Sequence, residues 1–366
     1  SRQALLNTGV FGGISVRPAD RLSPDGSIAI EFDVQERPLH AVKLEGAYST
    51  DLGVMLSAGW SDRNLFGNAE QLNLSAAGTG LWGNATKGLG YRLAAQFVKP
   101  AFLAPTQTFQ FDLIGLKQDL KAYNQTLESF GGSLSRTFST LWKASGGLTF
   151  MHDDVSQKSV NRTYELVSVP LTLGYDSTGL TDPLLDPTHG ARASLAVTPT
   201  QAFGARTLFF TILQASASGY LDLFGNGRSV VAGRGLVGSA LGASNFDLPP
   251  DQRLYAGGST TVRGYRFQSI GPLFPDGDPI GGTAIDAGSL EFRQRLFESW
   301  GLAGFLDAGQ DSDQGVPFTG TLHFGTGGGV RYYTTIGAIR ADVAFPLNPV
   351  RQGDSFELYI GLGQAF

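Results

Sequence analysis

The sequence predicts an all-β protein: a sixteen-stranded antiparallel transmembrane β-barrel, preceded by a short α/β remnant. Three observations carry this: a composition split between lipid-facing and polar residues, connectors that alternate between long and short, and a chain end that is itself a strand. Charged residues make up 16% of the 366 positions, against roughly 25% in soluble domains. Gly contributes 50 residues and Phe 25, while mean hydropathy stays near zero at -0.03. Low charge, many aromatics and ordinary hydropathy suit strands that show one face to lipid and the other to a polar lumen. A soluble propeller or sandwich fits the composition equally well, so the decision falls to the connectors and the chain end. No run reaches the length of about 18 apolar residues that a membrane helix needs. With no cysteine, disulfides, thiolate metal sites and cysteine nucleophiles are excluded. A net charge of -5 argues against nucleic acid as a partner. No signal peptide stands at Ser1, which is expected of a leader already removed or of a fragment.

Residues 1–38 read as the end of a small α/β domain. Arg2 to Gly9 resembles a helix end with Gly as its stop. Phe11 to Arg17 and Ser27 to Glu36 alternate apolar and polar about the Pro24-Asp25-Gly26 turn, with Ile28, Ile30, Phe32 and Val34 on one face. Glu36-Arg37-Pro38 reads as a hinge. Residues 39–366 then give strand after strand, starting at Leu39 to Tyr48 and ending at Phe356 to Phe366. Many exceed the 9–11 residues that cross the hydrocarbon. Arg92, Arg234, Glu291, Arg293, Arg295, Arg331, Arg340 and Asp342 fall mid-strand between apolar neighbours, as lumenal residues would. Asp153 to Arg162, Gly242 to Gly282 and Asp311 to Gly320 read as long polar connectors. Arg136 to Thr140, Leu223 to Gly227 and Phe297 to Trp300 are short, and Ser177 to Gly190 is an exception on the short side. Short turns on one rim and long loops on the other are a barrel habit that a sandwich does not share. Phe356, Leu358, Ile360, Leu362 and Phe366 share a face at the chain end, as an aromatic terminal targeting signal would.

The long loop, about 242–282, carries a Gly-flanked cluster that a solvated loop has no use for: Gly257, Gly258, Val262, Arg263, Gly264 and Tyr265. The four histidines are scattered and no phosphate loop is present, so no enzyme, cofactor or metal site is expected. Asp276, Asp278, Asp311 and Asp313 lack the spacing of a calcium loop.

With these residues in hand, the sequence resembles the BamA/TamA superfamily of outer-membrane insertases and translocators, TamA most closely, over nearly the whole chain. Val262-Arg263-Gly264-Tyr265 resembles the loop-six motif. Gly282 to Ser289 with Glu291 and Arg293 resembles the strand-twelve motif. Phe305-Leu306-Asp307-Ala308-Gly309 resembles the strand-thirteen motif, and Gly329-Val330-Arg331 with Ile339 to Asp342 the penultimate hairpin. The preference for TamA rests on Asp182 to Gly190, on modest loops and on the ending Ile360 to Phe366.

The resemblance implies several things. Residues 1–38 would close the last POTRA domain, and 39–366 would form the barrel. Arg263 would pair in the lumen with Asp307, with Glu291 and Arg293 nearby, and exchanging the two charges would then restore assembly. The seam between first and last strands would be a lateral gate, weakened by Gly361 and Gly363 and closed by a targeting signal ending at Phe366. The protein would insert or translocate β-barrel or autotransporter-type clients in the outer membrane of a Gram-negative bacterium, touching its lipid and working with an inner-membrane-anchored TamB-like partner through POTRA domains. A two-partner-secretion translocator and a passive channel are the alternatives.

Overall fold

The structure is a computed structural model that describes residues 8–22, 26–180, 185–335, 337–350 and 355–363. Two strands, β1 (Phe11–Leu22) and β2 (Ile28–Glu36), form an isolated antiparallel hairpin, with Val34 opposite Ile14. Its apolar residues Ile28, Ile30, Phe32 and Val34 are all exposed. The expected helix end lies largely outside the described residues.

The rest is one closed antiparallel barrel. Its strands are β3 (His40–Ser49), β4 (Gly53–Asp62), β5 (Gln71–Leu81), β6 (Gly90–Pro100), β7 (Gln107–Asp119), β8 (Asn124–Thr137), β9 (Trp142–Gln157), β10 (Val160–Ser168) and β11 (Leu171–Asp176). They continue with β12 (Gly190–Gly204), β13 (Leu208–Asp222), β14 (Ser229–Leu241), β15 (Ala284–Arg295), β16 (Trp300–Ser312), β17 (His323–Thr334), β18 (Gly337–Pro346) and β19 (Glu357–Leu362). β10 and β11 are one crossing, since both pair with β9 and with β12. The break falls at Val169-Pro170, where Pro170 has no N–H to give the ladder. Counted as crossings, the barrel has sixteen strands, as the sequence predicts.

Side chains alternate across the wall. Leu113, Phe130 and Phe150 stand opposite one another on neighbouring strands and are exposed, as a lipid-facing row requires. Aromatic pairs collect at the rim where β3 begins: His40 on Trp60, Trp142 on Tyr175 and Trp300 on Tyr332. That entry rim therefore carries part of an interfacial aromatic girdle.

The connectors partly correct the sequence expectation. Loop 242–283, between β14 and β15, and loop 313–322 are long and lie on the far rim, as do the described ends of the connector between β18 and β19. Asp153 to Arg162 is no loop: β9 and β10 run on through it, pairing up to Gln157 opposite Val160. Polar composition there marks strand projecting past the apolar band, which period-2 reading mistakes for a connector. β16 likewise runs to Ser312, one residue past the expected loop start at Asp311.

Closure is lopsided. β3 pairs with β4 along its whole length from His40 to Ser49. With β19 it makes two registered pairs, Ser49 opposite Tyr359 and Tyr48 opposite Ile360. One further bond, Thr50 N–H to the Leu358 carbonyl at 3.0 Å, sits beyond them. Among the described residues, the stretch 40–47 has no registered ladder partner on its second edge, and Val42 and Leu44 there are exposed.

Candidate functional site: a lumenal loop pinned beside the seam

Loop 242–283 folds into the barrel instead of standing off it. Leu248 is fully buried in an apolar cluster with Tyr123, Val155, Tyr164, Leu166 and Phe210 from the wall. Leu254, Ala256, Val262, Tyr265 and Ile270 form a second cluster with Ile285. A 3-10 turn at Pro250–Gln252 leads to Arg253, whose guanidinium donates to the Leu248 and Ile280 carbonyls and to Gln157 Oε1.

At the loop's deepest point stands Arg263, 1% exposed. It donates through Nε to Asp307 Oδ2 at 2.7 Å and through Nη2 to Asp307 Oδ1 at 2.8 Å. This is the bidentate fork that a planar guanidinium makes with a carboxylate. Its backbone N–H also donates to Asp307 Oδ2 at 3.0 Å, and Nη1 reaches Glu291 Oε2 at 2.7 Å. The Phe305 ring lies 3.4 Å from the guanidinium carbon. Burial alone would pull Arg263 below its ordinary pKa, but the Asp307 and Glu291 carboxylates hold it above. Arg293 is brought to Glu291 instead of Arg263, with Nε to Oε1 at 2.8 Å. Arg331 pairs with Asp342 and lies 3.7 Å from Glu291. Three cations thus converge on Glu291, a network that makes its desolvation tolerable.

The glycines follow from close approach. Gly257, Gly258 and Gly264 have φ of +102°, +97° and +93°, a region that side chains rarely adopt. A Cβ on Gly264 would stand 2.7 Å from the Phe345 carbonyl carbon, so the loop lies directly on the end of β18. Val262 is fully buried, and a Cβ on Gly309 would meet its Cγ2 at 2.7 Å. Tyr265 packs edge-on against His323 and donates to the Phe324 and Asn348 carbonyls at 3.0 Å. Removing only that hydroxyl, as Tyr265→Phe, is expected to cost about 1 kcal/mol. A urea titration of the folded barrel checks this, and the slope should stay unchanged.

Several members were not singled out from sequence. Tyr359 of β19 accepts the Gly264 N–H at 3.2 Å. Asp51, in the β3–β4 turn, places Oδ2 where a Cβ on Gly258 would meet it at 3.2 Å. The loop therefore touches both flanks of the β3–β19 seam at its far end and is not remote from it. A tyrosine in a terminal strand gives no signal for this. Gly325 does: its strand holds Gly325, Gly327, Gly328 and Gly329, and glycine inside a strand marks close approach. Of the expected seam residues, Gly361 lies opposite Arg340, and a Cβ on it would be 3.9 Å from Ala47 Cβ. Gly363 has φ +83°, beyond the end of β19. Phe366 lies outside the described residues, as does most of Asp182 to Leu185. Asp276 and Asp278 pair with Lys158 at the β9–β10 turn.

Comparison with known proteins fits this geometry. The Omp85 superfamily domain matches residues 64–366. Over 144 residues the chain is 32% identical to the outer membrane protein assembly factor BamA of Nitratidesulfovibrio vulgaris, covering 37% of this chain and 18% of that protein. The alignment thus spans less than a fifth of that relative. Among solved structures, BamA from Haemophilus ducreyi lacking POTRA domains 1–3 superposes with a TM-score of 0.76 at 17% identity, over 99% of this chain and 77% of that one. CdiB from Acinetobacter baumannii gives 0.69 at 14%, over 98% and 67%. At such identities the structural likeness speaks for the fold alone.

Proposed function

The chain belongs to the Omp85 superfamily and is an outer-membrane β-barrel of a Gram-negative bacterium; from that premise we propose that it inserts or translocates β-barrel or autotransporter-type proteins through the β3–β19 seam. The observation that carries this reading is the seam itself. Among the described residues two registered pairs close it, and the rest of the β3 edge facing β19 has no ladder partner. An unpaired edge offers N–H and C=O groups that an incoming strand can adopt. Opening two pairs and adding a strand exchanges one ladder for another, so no covalent chemistry and no cofactor is called for. The loop motif supports the same mechanism. It ties β15 and β16 together through Arg263 and rests on β18, bracing the wall right up to the seam. A TamA-type role with a TamB-like inner-membrane-anchored partner, reached through POTRA domains of which β1–β2 would be the last part, is the finer form of the proposal. A passive channel is disfavoured by the loop packed into the lumen.

The test uses the chain's lack of cysteine. In Tyr48→Cys with Ile360→Cys, the two residues opposite each other across the seam become the only thiols. Cross-strand Cβ atoms at about 4.5–5.5 Å lie close to disulfide reach. Reconstituted with an unfolded outer-membrane client, the oxidised barrel is expected to lose insertion activity, and reduction to restore it. Full activity in the crosslinked state would rule the seam out as the route.

A further inference from the structure

The ion cluster around Arg263 pins one part of the loop to the wall, and a contact of a different kind lies near the 3-10 turn. Asp153 of β9 is fully buried. The 3-10 turn of the loop packs against β9 and brings Asp251 within hydrogen-bonding reach of it. Each carboxyl has one oxygen accounted for: Gln125 donates to Asp153 Oδ1 at 3.0 Å, and Gln252 donates to Asp251 Oδ2. The remaining oxygens, Asp153 Oδ2 and Asp251 Oδ1, are shielded from solvent and have no donor among the described residues. The neighbouring groups do not supply one. The Arg253 guanidinium is spent on the Leu248 and Ile280 carbonyls and on Gln157. The rings of Tyr123 and Tyr255 lie against each other, and the Tyr255 hydroxyl donates to the Pro250 carbonyl. Asp154, next along β9, takes the Thr163 hydroxyl and lies by His152 on the other face of the wall. Two carboxylates in contact without a cation between them cannot both be ionised, whereas a carboxyl and a carboxylate make a short, strong hydrogen bond.

We propose that Asp153 and Asp251 share one proton, and that this proton latches the outer half of the loop to the barrel wall. Losing it turns the contact into like-charge repulsion under an apolar lid. The segment around the 3-10 turn then lifts, while Arg263 keeps the deep end in place. Burial pushes the Asp251 carboxyl up, outweighing the hydrogen bonds and the Arg253 charge that pull it down, which agrees with the geometry. The sign follows. The seated loop holds a proton that the released loop gives up, so seating is strongest in acid. It weakens as pH rises above the ordinary carboxylate range, until the shared proton itself is lost.

Amide hydrogen exchange of the full chain in lipid tests this. The reporters are the amides of Gln252 and Arg253, which bond within the turn, and those of Arg263 and Gly264, which bond to Asp307 and Tyr359. After correction for intrinsic exchange, turn protection is expected to fall about tenfold per pH unit upward from about pH 5, one proton's worth. The Arg263 and Gly264 amides should stay level. In Asp153→Asn the amide can donate to Asp251 permanently, so the slope of the turn should drop by that one decade per unit. Asp251→Asn should do the same from the other side. An unchanged slope in the folded variants overturns the proposal. If neither variant folds, the wild type decides alone: a flat pH profile, or protection that responds to magnesium and chelator at fixed pH, would mean a bound cation and not a shared proton.

Discussion

Arg263→Ala should destabilise the barrel by about 3–5 kcal/mol, the range for removing one partner of a buried ion pair. The substitution deletes both arms of the fork to Asp307 and the contact to Glu291. Glu291 keeps Arg293, so its loss is partial. Asp307 keeps only the backbone N–H of residue 263 and becomes a buried carboxylate without a cation. Most of the penalty should therefore sit on Asp307. Two further variants check that assignment by urea unfolding midpoints at constant slope. Arg263→Met with Asp307→Asn, which removes both charges at similar volume, should recover a sizeable part of the loss. Exchanging the charges, Arg263→Asp with Asp307→Arg, should not. The sequence suggested that this swap would rescue assembly, but the structure gives Arg263 a second carboxylate. An aspartate at 263 would face Glu291 with like charge. Rescue by the swap, or none by the neutral pair, would contradict the geometry described.

Gly325→Ala should be strongly damaging for a single added methyl. Its Cβ would fall well inside contact distance of the Arg263 carbonyl oxygen, a backbone atom, and the Cβ itself is fixed by the strand. Side chains can rotate away from a new methyl, but a ladder strand and a pinned loop cannot. Overpacking of this sort costs about 1–3 kcal/mol, occasionally more. Because Gly325 lies opposite Asp307 on the neighbouring strand, the displacement acts directly on the Arg263 fork. Gly304→Ala is the control, since a Cβ there meets nothing within 4 Å. It should be neutral or slightly stabilising, because alanine loses less backbone freedom than glycine. Equal losses at the two positions would mean that the cost lies in strand propensity and not in the loop's seat.

Some of this could be read from residues alone. Period-2 alternation found the barrel because every wall strand repeats the same division between lipid and lumen. The break at Pro170 was not found, because Val167, Val169, Leu171, Leu173 and Tyr175 keep one period-2 face straight across it. Arg263, Asp307 and Glu291 were legible through the motifs that resemble the family's loop six and its twelfth and thirteenth strands. Arg293 was expected at Arg263, but it is a cation and belongs to Glu291.

By itself, then, the sequence determined the fold class and the number of crossings, consequences of local periodicity, and it singled out the pinning arginine through a motif. Only the tertiary structure decided that the loop reaches Tyr359 and Asp51 at the seam, that the seam holds two registered pairs among the described residues, and that Asp153 meets Asp251. Those contacts join residues far apart in the chain, where no spacing rule operates. They are fixed by how a closed cylinder brings its first and last strands together and what it leaves room for inside.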